Sequence, residues 1–165
     1  MLRAVQLSVF AVLMAVLVHP AHSQDKPKYY RIVSENSGKV LAVADASKEG
    51  GAKLVQVAQK DDPSQQWQLV QKGEYLMVVN RHSGKVLDVP ERSKDQGVQI
   101  IQWDDNGQEN QRWLFYKVGE HWCIKSQESG LVLDVSEGSK EDGAAVIQWP
   151  FHGKENQQWK LVEVK

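Results

Sequence analysis

Asp88, Trp103 and Asn110 recur as Asp134, Trp149 and Asn156 when the chain is slid along itself by 46 residues. An acid, an indole and a carboxamide held in fixed order offer one chemistry in particular, the recognition of a polyhydroxylated ring. A pyranose has a face of C–H groups that packs on an indole, and a rim of hydroxyls that needs paired donors and acceptors. An Asp carboxylate can accept from two neighbouring hydroxyls, and an Asn amide can donate to one and accept from another. The same shift taken in the other direction reaches Ala42, Val57 and Ser64, so all three groups are lost together in the first copy. Simultaneous loss follows if the three form one site that the first copy has abandoned. Candidate sites are therefore expected in the second and third copies.

Stepping the shift twice, without a gap, divides the chain into units 28–73, 74–119 and 120–165. Ser37-Gly38, Ser83-Gly84 and Ser129-Gly130 superpose, as do Val40-Leu41, Val86-Leu87 and Val132-Leu133. Gln65-x-Trp67, Gln111-x-Trp113 and Gln157-x-Trp159 superpose as well. Positions kept in every unit build scaffold, and positions that vary are free to carry chemistry. Trp67, Trp113 and Trp159 are accordingly core residues, with Gln65, Gln111 and Gln157 fixing turns through hydrogen bonds to backbone. Gln56, Gln102 and Gln148, also kept in all three units, are structural rather than ligand contacts.

Each unit reads as short strands separated by turns. Leu133 and Val135 alternate with Val132 and Asp134, Trp159 and Leu161 with Gln158 and Lys160, and Trp122 and Ile124 with Cys123 and Lys125, the two-residue period of strands with one buried face. Asp134 then faces away from Leu133 and Val135, and Trp149 lies opposite Val146 and Gln148. Turn chemistry ends at Gly51, Gly97 and Gly143, and no stretch sustains a 3.6-residue apolar period, so helices of any length are not expected. A β-propeller of similar repeat length needs at least four blades. Three units of about four strands point instead to an all-β fold, a closed β-trefoil with pseudo-threefold symmetry, in which closure removes sheet edges.

Residues 1–23 read as a cleaved signal peptide: a positive start at Arg3, an apolar run from Leu7 to Val18, and Ala21-His22-Ser23 of small-x-small form. The run is too short for a membrane-spanning helix. A short tail, 24–27, then leads into one domain, 28–165, and secretion is the expected localisation. Loss of Arg3 takes the formal net charge from -1 to -2. Without a basic stripe to displace counterions, nucleic-acid binding is disfavoured. Cys123 is the single cysteine, which excludes an internal disulfide, and its counterparts Arg31 and Met77 mark a filler position.

The Gln-x-Trp signature, the Leu-Asp-Val strand and the aromatic ten residues before Trp113 and Trp159 together resemble the ricin B-type lectins, and the similar carbohydrate-binding modules of secreted glycosidases. The likeness covers residues 28–165. It implies sugar sites at Asp88, Trp103 and Asn110 and at Asp134, Trp149 and Asn156. Many members place a Gln where this chain has Ile101 and Ile147, and many plant members carry intra-unit disulfides that are missing here. The Ile-x-aromatic-Pro-x-His-Gly pattern of Ile147 to Gly153 resembles certain galactose-binding third units, which adds His152 as a hydroxyl contact and Asn106 as its weaker counterpart.

The resulting expectation is a secreted, non-catalytic lectin-like protein that binds galactose-type or related sugars of a polysaccharide or glycoprotein. No cofactor or metal, no membrane insertion and a monomeric state are expected. A β-trefoil protein-interaction module such as a protease inhibitor is the alternative, although the gap-free repeat leaves no room for a prominent binding loop. Catalysis is disfavoured because Asp88 and Asp134 sit in separate units and would not form the close carboxylate pair of a glycosidase.

Overall fold

A computed structural model describes residues 26–165, so the expected signal peptide lies outside the described residues. The first repeat supplies β1 (Tyr30–Ser34), β2 (Val40–Val43), β3 (Leu54–Val57) and β4 (Trp67–Lys72). The second supplies β5 (Tyr75–Asn80), β6 (Val86–Asp88), β7 (Ile101–Trp103) and β8 (Trp113–Val118). The third supplies β9 (His121–Ser126), β10 (Val132–Val135), β11 (Val146–Trp149) and β12 (Trp159–Glu163). Among the described residues the helical elements are three-residue 3-10 turns, as expected of a chain without a helical apolar period.

Six strands close into a barrel through antiparallel pairs β1–β4, β4–β5, β5–β8, β8–β9, β9–β12 and β12–β1. The last pair joins the first strand to the last, from Tyr30 opposite Glu163 to Ser34 opposite Trp159, so the barrel has no free edge. The other six strands form hairpins β2–β3, β6–β7 and β10–β11 that cap one end. These hairpins lean on one another: Leu54 N–H donates to Ile100 O at 2.8 Å, and Ile100 N–H donates to Val146 O at 3.0 Å. The fold is a β-trefoil, as its three-unit sequence predicts.

Trp67, Trp113 and Trp159 are fully buried at the start of the fourth strand of each repeat. Each indole N–H donates to a backbone carbonyl across the unit: Leu41 at 3.0 Å, Leu87 at 3.2 Å and Leu133 at 3.4 Å. That bond satisfies the polar end of a side chain whose rings pack with Ile32, Leu54, Val78 and their symmetry counterparts in the core. Gln56, Gln102 and Gln148 are also fully buried. The Oε1 of each accepts from the hydroxyl of the Ser-Gly turn in its own repeat, while Nε2 of Gln102 and Gln148 reaches two carbonyls of the preceding repeat, Ser47 and Glu49 or Ser93 and Asp95.

The two-residue alternation describes the strands less completely than expected. All four residues of β10 are buried, because the outer face that carries Val132 and Asp134 lies beneath other parts of the chain rather than against solvent. Cys123, expected to face out, is fully buried as well. It stands opposite Tyr116 in the β8–β9 pair, and desolvation pushes its thiol up, leaving it a packing residue with little thiolate.

Candidate functional site

The hairpin β6–β7 brings two of the sequence-selected residues together. Asp88 pairs with Ile101 and Val86 with Trp103, so these four side chains share the outer face of the hairpin while Leu87 points into the core. Asn110 arrives from a separate element, the 3-10 turn Glu109–Gln111 that precedes β8. Its Nδ2 donates to Asp88 Oδ1 at 3.1 Å and to the carbonyl of Val89 at 3.0 Å. Gln111 Nε2 donates to Asp88 Oδ2 at 2.6 Å and to the carbonyl of Asp104 at 2.8 Å, while its Oε1 accepts from the Asn106 N–H at 2.9 Å.

The third repeat repeats this geometry. Asn156 Nδ2 donates to Asp134 Oδ1 at 3.0 Å and to the Val135 carbonyl at 3.1 Å, and Gln157 Nε2 donates to Asp134 Oδ2 at 2.8 Å. Asp134 and Asp88 are each only 3% exposed. Burial pushes both carboxyls above the ordinary Asp value, and the amide donors pull them part of the way back. Each Asp88 oxygen accepts one amide bond and has a lone pair left for a ligand, as does Asp134 Oδ1.

Two details differ from the sequence-based expectation. Asn110 and Asn156 were expected to donate to one hydroxyl and accept from another, but both amide hydrogens are already committed to Asp and backbone. The carboxamide therefore has no hydrogen left to donate to a ligand, and Asn110 Oδ1 is a buried oxygen with no hydrogen-bond partner. Gln111 and Gln157, expected to fix turns, do so and in addition hold the Asp carboxylates; recurrence in every unit marked them as scaffold and gave no sign of this second contact. In the first repeat Ala42 has no carboxylate to offer, and Gln65 Nε2 reaches only the Ala58 carbonyl at 3.1 Å.

The indoles form the walls. Trp103 is 46% exposed and stands over the turn of the preceding repeat, where a Cβ on Gly50 would fall 3.0 Å from its ring and one on Gly51 3.6 Å. Trp149, partly buried, packs in the same manner near Gly97, at 3.5 Å. Each indole thus rests against a glycine turn from the neighbouring repeat, and Gly97 also lines the third cavity, a contribution that the composition of a single repeat could not reveal. The cavities measure about 400 Å³ in the second repeat and about 540 Å³ in the third.

His152 lies in the third cavity with Nε2 3.3 Å from Asp134 Oδ2, and its Nδ1 accepts from the Lys154 N–H at 3.3 Å. An accepting Nδ1 puts the proton of the neutral ring on Nε2, aimed at the carboxylate. Asn106, the counterpart in the second cavity, instead turns its Oδ1 back to the Gln108 N–H at 2.9 Å. Among the described residues there is no cluster of His, Cys, Asp and Glu able to hold a metal, and no helix long and apolar enough to cross a membrane.

The family described as ricin-type beta-trefoil lectin domain-like matches residues 16–103 and 109–165. The chain belongs to that family. Among solved structures, this lectin-like chain is 40% identical to the designed threefold-symmetric protein ThreeFoil, with a TM-score of 0.81 over 82% of this chain and 99% of the other. It is 43% identical to 1,3Gal43A, an exo-β-1,3-galactanase from Clostridium thermocellum, with a TM-score of 0.81 over 86% of this chain and 31% of that enzyme. The C-half of the earthworm R-type lectin, solved in complex with GalNAc, is 26% identical, with a TM-score of 0.68 over 84% of this chain and 100% of the other. No curated protein matches the chain.

Proposed function

We propose that the chain is a secreted, non-catalytic carbohydrate-binding protein with one site in the second repeat and one in the third, each taking a galactose-type sugar of a polysaccharide or glycoprotein. The observation that carries this reading is a carboxylate at the floor of an open cavity, clamped by two amides and walled by an indole, present twice and dismantled once. A ring stacked on Trp103 or Trp149 would direct hydroxyls at Asp88 and Asn110 or at Asp134, Asn156 and His152. The GalNAc complex of the earthworm lectin and the galactanase likeness support the choice of sugar class.

One stacked ring with a few hydrogen bonds gives a dissociation constant of roughly 0.1–1 mM, or about 4–5.5 kcal/mol. Two sites on one rigid barrel raise the effective affinity for a multivalent glycan through local concentration. The test is a glycan array probed with the protein beside the double variant Trp103→Ala, Trp149→Ala, both shown to be folded. Binding of galactose-terminated glycans that vanishes in the double variant is the expected result. A folded parent that binds no glycan would remove the reading and bring protein recognition forward.

A further inference from the structure

The third cavity does not end at its own walls. A second hollow of about 590 Å³ adjoins it, sharing Gly138, Lys154 and Asn156, and runs along the seam where the third repeat meets the first. Its lining is polar. The Glu35 carboxylate lies 3.1 Å from His121 Nε2 and 2.5 Å from Lys160 Nζ, and Gln158 Oε1 sits 3.2 Å from His121 Nδ1. The hydrogen bond from Lys160 holds Glu35 below the usual carboxylate range, so the seam keeps a charged acceptor at neutral pH.

The matching seam between the second and third repeats is built differently. Arg92 stands where the third repeat has Gly138, and its Nε and Nη2 donate to Glu128 Oε2 at 2.9 and 2.7 Å. The Glu128 side chain is only 6% exposed. Beside it, Gln127 Nε2 donates to Glu109 Oε1 at 3.3 Å. With Lys94 Nζ 3.5 Å from Glu128 Oε1, three side-chain contacts span that seam. At the seam between the third and first repeats the positions of Arg92, Glu128, Gln127 and Glu109 hold Gly138, Asn36, Glu35 and Glu155. A glycine has no side chain to reach across, and Glu35 turns its carboxylate to Lys160 and His121 of the third repeat. Asn36 Nδ2 also crosses that seam, donating to the Gly138 carbonyl at 2.8 Å, so position 138 contributes no side chain to close the hollow. Arg92 and Gly138 share the left-handed backbone, with φ of 55° and 62°, so the difference between the seams lies in the side chains.

We propose that the third site is an extended one, holding a first sugar ring against Trp149 and the next sugar of the same chain in the seam between repeats three and one, whereas the second site takes a single ring. A carboxylate and a carboxamide in the seam suit neutral hydroxyls. The inference rests on the carbohydrate reading above.

Calorimetric titration with galactose and with β-1,3-galactobiose tests it, using Trp103→Ala to leave the third site alone and Trp149→Ala to leave the second. At the third site the disaccharide should bind about tenfold tighter than galactose, and at the second within about twofold. Gly138→Arg in the Trp103→Ala protein should bring the disaccharide preference down to that of the second site. Glu35→Gln should reduce it severalfold, and serves if the arginine variant does not fold. Equal affinities for the two sugars at the third site, or a preference that survives both substitutions, overturns the extended site alone. Failure of the unsubstituted protein to bind either sugar overturns the galactose reading and the extended site with it.

Discussion

Asp88 and Asp134 combine a raised pKa with a proposed role that needs the ionised form. The sign of the pH response follows from that combination. Because the folded-state value lies above the unfolded one, the ionised carboxylate costs stability at neutral pH, and protonation as pH falls relieves that cost. Hydroxyl recognition runs the other way, since a protonated carboxyl loses acceptor strength. In Trp149→Ala protein, where only the second site remains, galactose affinity should be full at neutral pH and decline as pH drops through a value above that of an ordinary Asp. Titration by calorimetry, with far-ultraviolet circular dichroism to show that the fold persists through the decline, checks this; a midpoint at or below the ordinary Asp value would contradict it. The gathering of each acid, indole and carboxamide was legible in sequence because an internal repeat supplied the comparison that a lone copy lacks. The exhaustion of the Asn110 and Asn156 amide hydrogens was not, since it depends on where the Val89 and Val135 carbonyls lie.

The hairpin, rather than the residue, sets the spacing between acid and indole. Antiparallel register puts Val86 opposite Trp103 and Asp88 opposite Ile101, so the indole and the carboxylate are diagonal neighbours on one face. The alternating pattern was sufficient to predict that face. It could not predict that the turn Glu109–Gln111 would fold over it and bury Asp88, because such coverage depends on an element far along the chain. The indole also depends on its seat. A Cβ at Gly50 would meet the ring of Trp103 at 3.0 Å, tight enough to force a shift of a few tenths of an ångström. Gly50→Ala should therefore weaken the second site severalfold and leave the third within twofold, measured by galactose titration in the Trp149→Ala and Trp103→Ala backgrounds respectively.

Closure of the barrel makes the three repeats one cooperative unit. Each signature Trp is wholly buried and its indole N–H is bonded to a carbonyl within the same repeat, so Trp113→Ala removes packing and leaves the Leu87 carbonyl without that donor. The expected loss is about 3–5 kcal/mol in urea denaturation, whereas Trp103→Ala, half exposed, should cost about 1 kcal/mol or less. Similar losses for both would mean that the two kinds of Trp are not separated by burial. The division between scaffold and site was readable from the chain itself, because symmetry demands the same core residue in every repeat and leaves surface positions free to diverge. So was the trefoil, since three gap-free strand-rich units have few ways to bury their apolar faces together. The seams were not readable. Gly138, Arg92, Glu35 and Glu128 look like ordinary turn residues in sequence, and only assembly of the barrel decides that Arg92 meets Glu128 while Gly138 faces Asn36. Those contacts join residues from different repeats, and their distance is fixed by barrel closure rather than by any local preference of the chain.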